Sequence, residues 1–166
     1  MPLRRIVLPV FWATAVLFLG SSHFGADQTR VIVRPLLHRL APTATPPVVE
    51  AVHAVLRKLA HLSEYGILAR LWFGSLLARV DRTPRRASWL ALAICLACAF
   101  ADEAHQSMLL TRVGSARDVV VDATGALTVL IVSRSRREAS ERRMWLSVTA
   151  PRSAEQSPPP RVGATP

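Results

Sequence analysis

Leu59-Ala60-His61-Leu62-Ser63-Glu64-Tyr65-Gly66-Ile67-Leu68-Ala69-Arg70-Leu71-Trp72-Phe73-Gly74-Ser75-Leu76-Leu77 is long and apolar enough to be read as a bilayer-crossing segment. Its first turns nevertheless carry His61, Glu64 and Tyr65. The same conjunction recurs twice downstream. Asp102, Glu103, His105 and Gln106 close the next apolar run, and Arg112, Arg117, Asp118 and Asp122 lead into the last. Charge in or beside a bilayer is costly, so an intramembrane carboxylate is by default a functional-site hypothesis. Three helices that each place such groups at one depth predict a shared polar site.

Working outward, the fold class expected is all-α: a polytopic membrane protein with four transmembrane helices in a compact bundle. The first apolar run, Ile6 to Gly20, follows Arg4 and Arg5 and passes through small residues to Ala26. It has the ingredients of a signal peptide, but three further apolar segments follow it, so a retained span is the reading taken here. Residues 27–46 are polar and interrupted by Pro35, Pro42 and Pro46, which predicts an extramembrane loop. Thr45 followed by Pro46 and Pro47 marks a helix start, with Glu50 expected in the favourable first turn. Nothing breaks that helix before about Ala78. At 1.5 Å per residue it extends roughly 48 Å, beyond the ~30 Å hydrocarbon core. Its first turns therefore form an extended juxtamembrane helix with Val48, Val52, Val55 and Leu59 as an apolar stripe. Leu59–Leu77 is then the second span. The third runs from Ala87 to Ala101, extending to Gln106, and the fourth from Asp118 to Val132.

The chain has 166 residues, of which 51% are hydrophobic. Its mean hydropathy of +0.28 is high for a soluble domain and ordinary for a small membrane protein. The formal net charge of +10 does not imply nucleic-acid binding. The arginines recur just beyond the ends of apolar runs, and no aromatic-basic RNA motif or zinc-finger spacing is present. Counted outside the spans, thirteen Lys and Arg fall on the side of the N-terminus and seven on the other. Both termini are thus expected in the cytoplasm and the polar cluster at the extracytoplasmic face. The membrane domain covers 1–143, and residues 144–166, with Ser157-Pro158-Pro159-Pro160, are expected to be a disordered cytoplasmic tail. Cys95 and Cys98 share a helix face inside an apolar stretch and read as small core-filling residues.

Within the cluster, His61 and Glu64 at i, i+3 can touch, so the carboxylate is expected to orient the imidazole. Asp102 and Gln106 share a face with Glu103 alongside, at a helix C-terminus that already carries partial negative charge. A cation, an arginine or protonation of one carboxyl should compensate them. Arg112, Ser115 and Arg117 form a basic loop, and Arg112 is placed either to neutralise those acids or to grip a phosphate. Asp118 reads as an N-cap, Asp122 lies one turn deeper on the same face, and Gly125 should allow close helix approach. Arg70 lies on the face opposite His61 and is expected to snorkel. His23, His38 and His53 are assigned no chemistry.

The order of these residues resembles the VanZ-like family of small bacterial membrane proteins. The matching segments are Lys58-Leu59-Ala60-His61-Leu62-Ser63-Glu64-Tyr65, then Asp102-Glu103-Ala104-His105-Gln106, then Arg112, Asp118, Asp122 and Gly125. They follow the pattern K-x-x-H-x-x-E-Y, D-E-x-x-Q, a loop Arg and D-x-x-x-[ND]-x-x-G. Asp122 stands where the family often has Asn, and Val129 where it has a small residue. The family is named for a glycopeptide-resistance protein, and its polar pattern is similar to that of membrane enzymes that hydrolyse or exchange lipid headgroups.

Two functions follow as expectations. In the first, an enzyme of the bacterial cytoplasmic membrane acts on a phospholipid or polyprenyl-linked headgroup, within cell-envelope metabolism or glycopeptide resistance. His61, Glu64, Asp102, Glu103, Gln106 and Asp122 would carry the chemistry, with Tyr65, Arg112, Ser115 and Asp118 binding substrate. Asp102, Glu103 and Asp122 are the ligands expected for a divalent cation such as Mg²⁺ or Ca²⁺, if one is used. In the second, the protein is not catalytic and binds a lipid-linked cell-wall precursor or an antibiotic. Protein partners are not indicated by any residue pattern.

Overall fold

The computed structural model describes residues 4–19, 26–78, 83–108 and 116–149, and these are almost wholly helical, with no strand among them. The helices are α1 (Arg4–Leu19), α2 (Ala26–Leu40), α3 (Pro46–Leu77), α4 (Pro84–Ser107) and α5 (Ala116–Thr149). The all-α class is therefore correct. α3 is the hub. It packs most extensively on α5 and then on α4, while α1 and α2 also lie against it.

Composition explains the packing. α4 turns Ala87, Ala91, Cys95 and Ala99 inward at four-residue spacing, all buried. Small side chains in such a stripe let helix backbones approach closely. Tyr65, Leu68, Ala69, Phe73 and Leu76 of α3 meet them, together with Ala126 and Leu130 of α5 and Val16 of α1. α1 is tied in by a hydrogen bond as well, the Trp12 indole N–H donating to the Glu64 carbonyl at 3.0 Å. The first apolar segment is thus part of the packed bundle.

The outward faces are apolar. Phe11 and Phe18 on α1, Ile67 on α3, Trp89 and Phe100 on α4, and Leu127 and Ile131 on α5 are all exposed, whereas Asp102 and Asp122 are buried. Buried carboxylates beside an apolar core, with many large apolar groups outside, depart from the distribution of a water-soluble monomer and suit a bilayer. One described segment, Pro84–His105, is long and apolar enough to cross a membrane, and Arg5–Phe18 is apolar but shorter. α3 and α5 fall short of that criterion along their apolar stretches, which are interrupted by groups such as Arg57, Lys58, Glu64 and Arg70, or Asp118 and Asp122.

Several sequence expectations need correction. Residues 26–40 form a helix rather than a loop, despite Pro35. One proline removes one backbone hydrogen bond. The neighbouring Val, Leu and Arg residues keep a helical alternation of apolar and basic side chains, and α2 rests on α3. Pro46 and Pro47 do begin α3, but Glu50 lies beyond its first turn, and Thr45 makes no side-chain cap. Asp118 is not an N-cap either: α5 starts at Ala116, which places Asp118 inside the first turn. There its charge faces the positive end of the helix dipole. α5 also continues to Thr149, past Arg143, so residues 144–149 are helical. The rest of the expected tail, 150–166, lies outside the described residues.

Candidate functional site

Two cross-helix rungs build the site. Arg57 Nη2 of α3 lies 3.7 Å from Asp118 Oδ2 of α5. One turn further along both helices, His61 Nδ1 lies 3.2 Å from Asp122 Oδ1. Both pairs advance by four residues on each helix, so α3 and α5 run parallel, with their charged faces matched. One turn beyond, Gly125 sits against the Leu62 backbone, where an added Cβ would overlap the carbonyl oxygen. The expectation of close approach at Gly125 is met, and this contact brings the two rungs together.

The rungs line a cleft of about 220 Å³, with Glu50, His53, Arg57, Lys58, His61 and Asp118 on its wall. His61 is partly exposed to it, whereas Asp122 behind the imidazole is only 1% exposed. An ionised carboxylate can only accept, so His61 Nδ1 donates the proton of this bond. In the neutral imidazole with Nδ1 donating, Nε2 carries the lone pair required of a general base. The expected partner of His61 was Glu64. Glu64 is half-buried and close enough to act on the imidazole electrostatically, but the orienting hydrogen bond comes from Asp122.

Asp122 links this edge of the cleft to a buried interior group. Tyr65 is wholly buried, and its hydroxyl has no hydrogen-bond partner among the described residues. Its hydroxyl lies within electrostatic reach of both Asp122 and Asp102, the latter 2% exposed on α4. Tyr65 is therefore closed off from any ligand that enters the cleft in this conformation. Glu103 is half-buried on α4 and does not line the cleft. Gln106 is on α4, but its side chain is outside the described set, as are Arg112 and Ser115 altogether. No group of three or more His, Cys, Asp and Glu positioned for a metal ion exists among the described residues, so Asp102, Glu103 and Asp122 do not form one.

The family model for VanZ/LLP1 matches residues 6–137, a stretch that contains every residue of the cleft. The chain belongs to the VanZ/LLP1 family. No curated protein and no solved structure matches it. Within this VanZ/LLP1 chain, the segments around His61, Asp102 and Asp122 that carried the resemblance are the ones the fold brings together.

His53 and Arg57 were the residues missed. His53 is only 7% exposed, and with Arg57 and His61 it recurs at four-residue intervals along one face of α3. That spacing was visible in the sequence. What concealed it was the assignment of residues before Leu59 to a solvated juxtamembrane stripe, when the structure turns Val48, Val55 and Leu59 outward and Val49 and His53 inward.

Proposed function

We propose that this VanZ/LLP1 protein is a lipid-headgroup enzyme of the bacterial cytoplasmic membrane that hydrolyses or exchanges a phosphoester of a phospholipid or polyprenyl-linked lipid at the outer face. The observation that carries this reading is the His61–Asp122 pair: an imidazole oriented by a buried carboxylate on the wall of a cleft. His61 Nε2 takes the proton of a water or acceptor alcohol. That oxygen attacks phosphorus, the bond from phosphorus to the leaving oxygen breaks, and the imidazolium returns the proton to the leaving group. Asp122 holds the ring and stabilises the transient imidazolium, the task a carboxylate performs behind a catalytic histidine elsewhere. No G-x-S-x-G element is present to supply a serine nucleophile. Direct attack by the acceptor oxygen is therefore preferred to a covalent intermediate.

Four spans with both termini in the cytoplasm belong to the same proposal. Parallel α3 and α5 support it, because two spans separated by one crossing must point the same way. The excess of arginine beyond the other ends of the spans supports it too. Topology is checked with Ala54→Cys, on the cleft wall, in a Cys95→Ser, Cys98→Ser background. A membrane-impermeant maleimide should label it in intact cells, and labelling only after lysis would reverse the orientation. For catalysis, the purified full chain is incubated with phospholipids and polyprenyl phosphates and the released headgroup is measured. Loss of turnover in His61→Ala and Asp122→Asn is expected. Wild-type turnover in either variant would remove its assigned role, and binding without any turnover would favour a non-catalytic receptor.

A further inference from the structure

The outer part of the cleft contains groups that the proposed chemistry does not use. Arg57 and Lys58 both line it, one turn before His61, with Asp118 opposite and Glu50 two turns before Arg57 on the same wall. The Arg57–Asp118 contact is long, 3.7 Å through a single nitrogen, and both side chains are partly exposed, at 32% and 24%. A guanidinium has five N–H donors in a planar fork, and this contact engages it loosely. An ion pair of that kind at a wet surface contributes little and is readily exchanged. The cleft volume of about 220 Å³ leaves room for a phosphoryl group.

We infer that the mouth of the cleft is a phosphoryl-recognition site in which Arg57 and Lys58 hold the anion and Asp118 is the displaceable counter-ion of Arg57. A phosphate oxygen pair accepts two parallel N–H bonds from the guanidinium fork, which the single long contact to Asp118 does not match. Lys58 adds a point charge from the adjacent position. His61, one turn deeper, then faces the phosphorus from the inner side. Asp118 holds Arg57 at the cleft mouth and competes with the incoming anion, so it sets the affinity. The inference rests on the headgroup reading for its substrate, but binding is measured separately from turnover.

The full chain in maltoside micelles, free of other phosphate, is titrated calorimetrically with dihexanoyl phosphatidic acid, inorganic phosphate and dihexanoylglycerol. Both phosphate-bearing probes should bind and dihexanoylglycerol should not. Tighter binding of the lipid identifies a membrane source, and equal binding a soluble phosphate. Arg57→Gln should weaken binding about tenfold or more, as loss of a hydrogen bond to a charged group does. Lys58→Gln should weaken it a few-fold. Asp118→Asn should tighten it up to about fivefold, because the competing charge is gone. Arg86→Gln, at the opposite end of the bundle, should leave it unchanged. Wild-type affinity in both Arg57→Gln and Lys58→Gln, or weaker binding in Asp118→Asn with its helical circular dichroism intact, would overturn the site. Turnover unaffected by Arg57→Gln and Lys58→Gln would overturn it while sparing the catalytic reading. Phosphate binding with no turnover would do the reverse.

Discussion

Replacing Gly125 by alanine tests whether the α3–α5 crossing creates the site. The new Cβ would overlap the Leu62 carbonyl oxygen and lie 2.9 Å from the carbonyl carbon and 3.0 Å from Leu62 Cα. All three are backbone atoms of a continuous helix, so no rotamer change relieves the overlap. The helices must separate by about an ångström, an overpacking cost at the upper end of ~1–3 kcal/mol. Alanine regains up to ~1 kcal/mol of helix propensity over glycine, leaving a net loss of about 2 kcal/mol. The same separation acts one turn away on the His61–Asp122 bond, which at 3.2 Å has little length to spare before it ceases to be a hydrogen bond. Two internal comparisons sharpen the test. At Gly66 the added methyl meets a side-chain tip, Val129 Cγ2 at 3.1 Å, and about 1 kcal/mol is expected. At Gly74 it meets only the flexible Arg70 guanidinium at 3.3 Å, so Gly74→Ala should be neutral or slightly stabilising. Equilibrium unfolding in mixed micelles, followed by circular dichroism, gives the order. Gly125→Ala as stable as wild type, or less damaging than Gly74→Ala, would refute the reasoning.

Trp12→Phe removes the indole donor to the Glu64 carbonyl and should cost about 1 kcal/mol in the same unfolding assay, loosening α1 without displacing His61. Tyr65→Phe deletes a buried hydroxyl that has no hydrogen-bond partner among the described residues, so stability should rise by up to about 1 kcal/mol; a loss would reveal a bond to this hydroxyl. A double-mutant cycle with His61→Ala and Asp122→Ala should return a coupling of about 1.5–3 kcal/mol, and a coupling near zero would dissolve the proposed pair. Arg134→Ala and Arg137→Ala break exposed i, i+4 pairs with Glu138 and Glu141 and should each change stability by less than about 0.5 kcal/mol.

What could be read from the sequence was local. The span of α3 from Pro46 to Leu77, the inward face carrying Tyr65 and Leu68, and the glycine at the crossing all follow from spacing along one helix. The partner of His61 did not, because Glu64 lies within reach on the same helix whereas Asp122 is 61 residues away. Pairing across helices depends on register, and register is decided by which backbones can touch. Gly125 against Leu62 is such a touching point, and it aligns Asp118 with Arg57 and Asp122 with His61. Pro35 misled for the opposite reason: its local penalty was weighed without the contact to α3 that accompanies the helix.

Some of the charges that keep α3 and α5 from the composition of a simple span are paired by the fold. Arg57 meets Asp118 and His61 meets Asp122, so these two aspartates each have a cation or an N–H donor across the helix interface. On the proposed four-span topology neither helix would cross a bilayer comfortably alone, since an isolated intramembrane charge costs several kcal/mol. Side by side and parallel, they turn these groups to each other and leave Ile67, Leu127 and Ile131 for the outside. The pairing also explains why the cleft opens at the end of the bundle where the rungs lie. There the guanidinium and imidazole can reach water and an anionic ligand, while the carboxylate behind the imidazole stays dry. Reversing the outer rung tests this directly. Asp118→Arg combined with Arg57→Asp should restore the thermal stability, up to about 1 kcal/mol, that like-charge repulsion removes in either single variant. Failure of the double variant to recover would mean that the two positions do not share one interface.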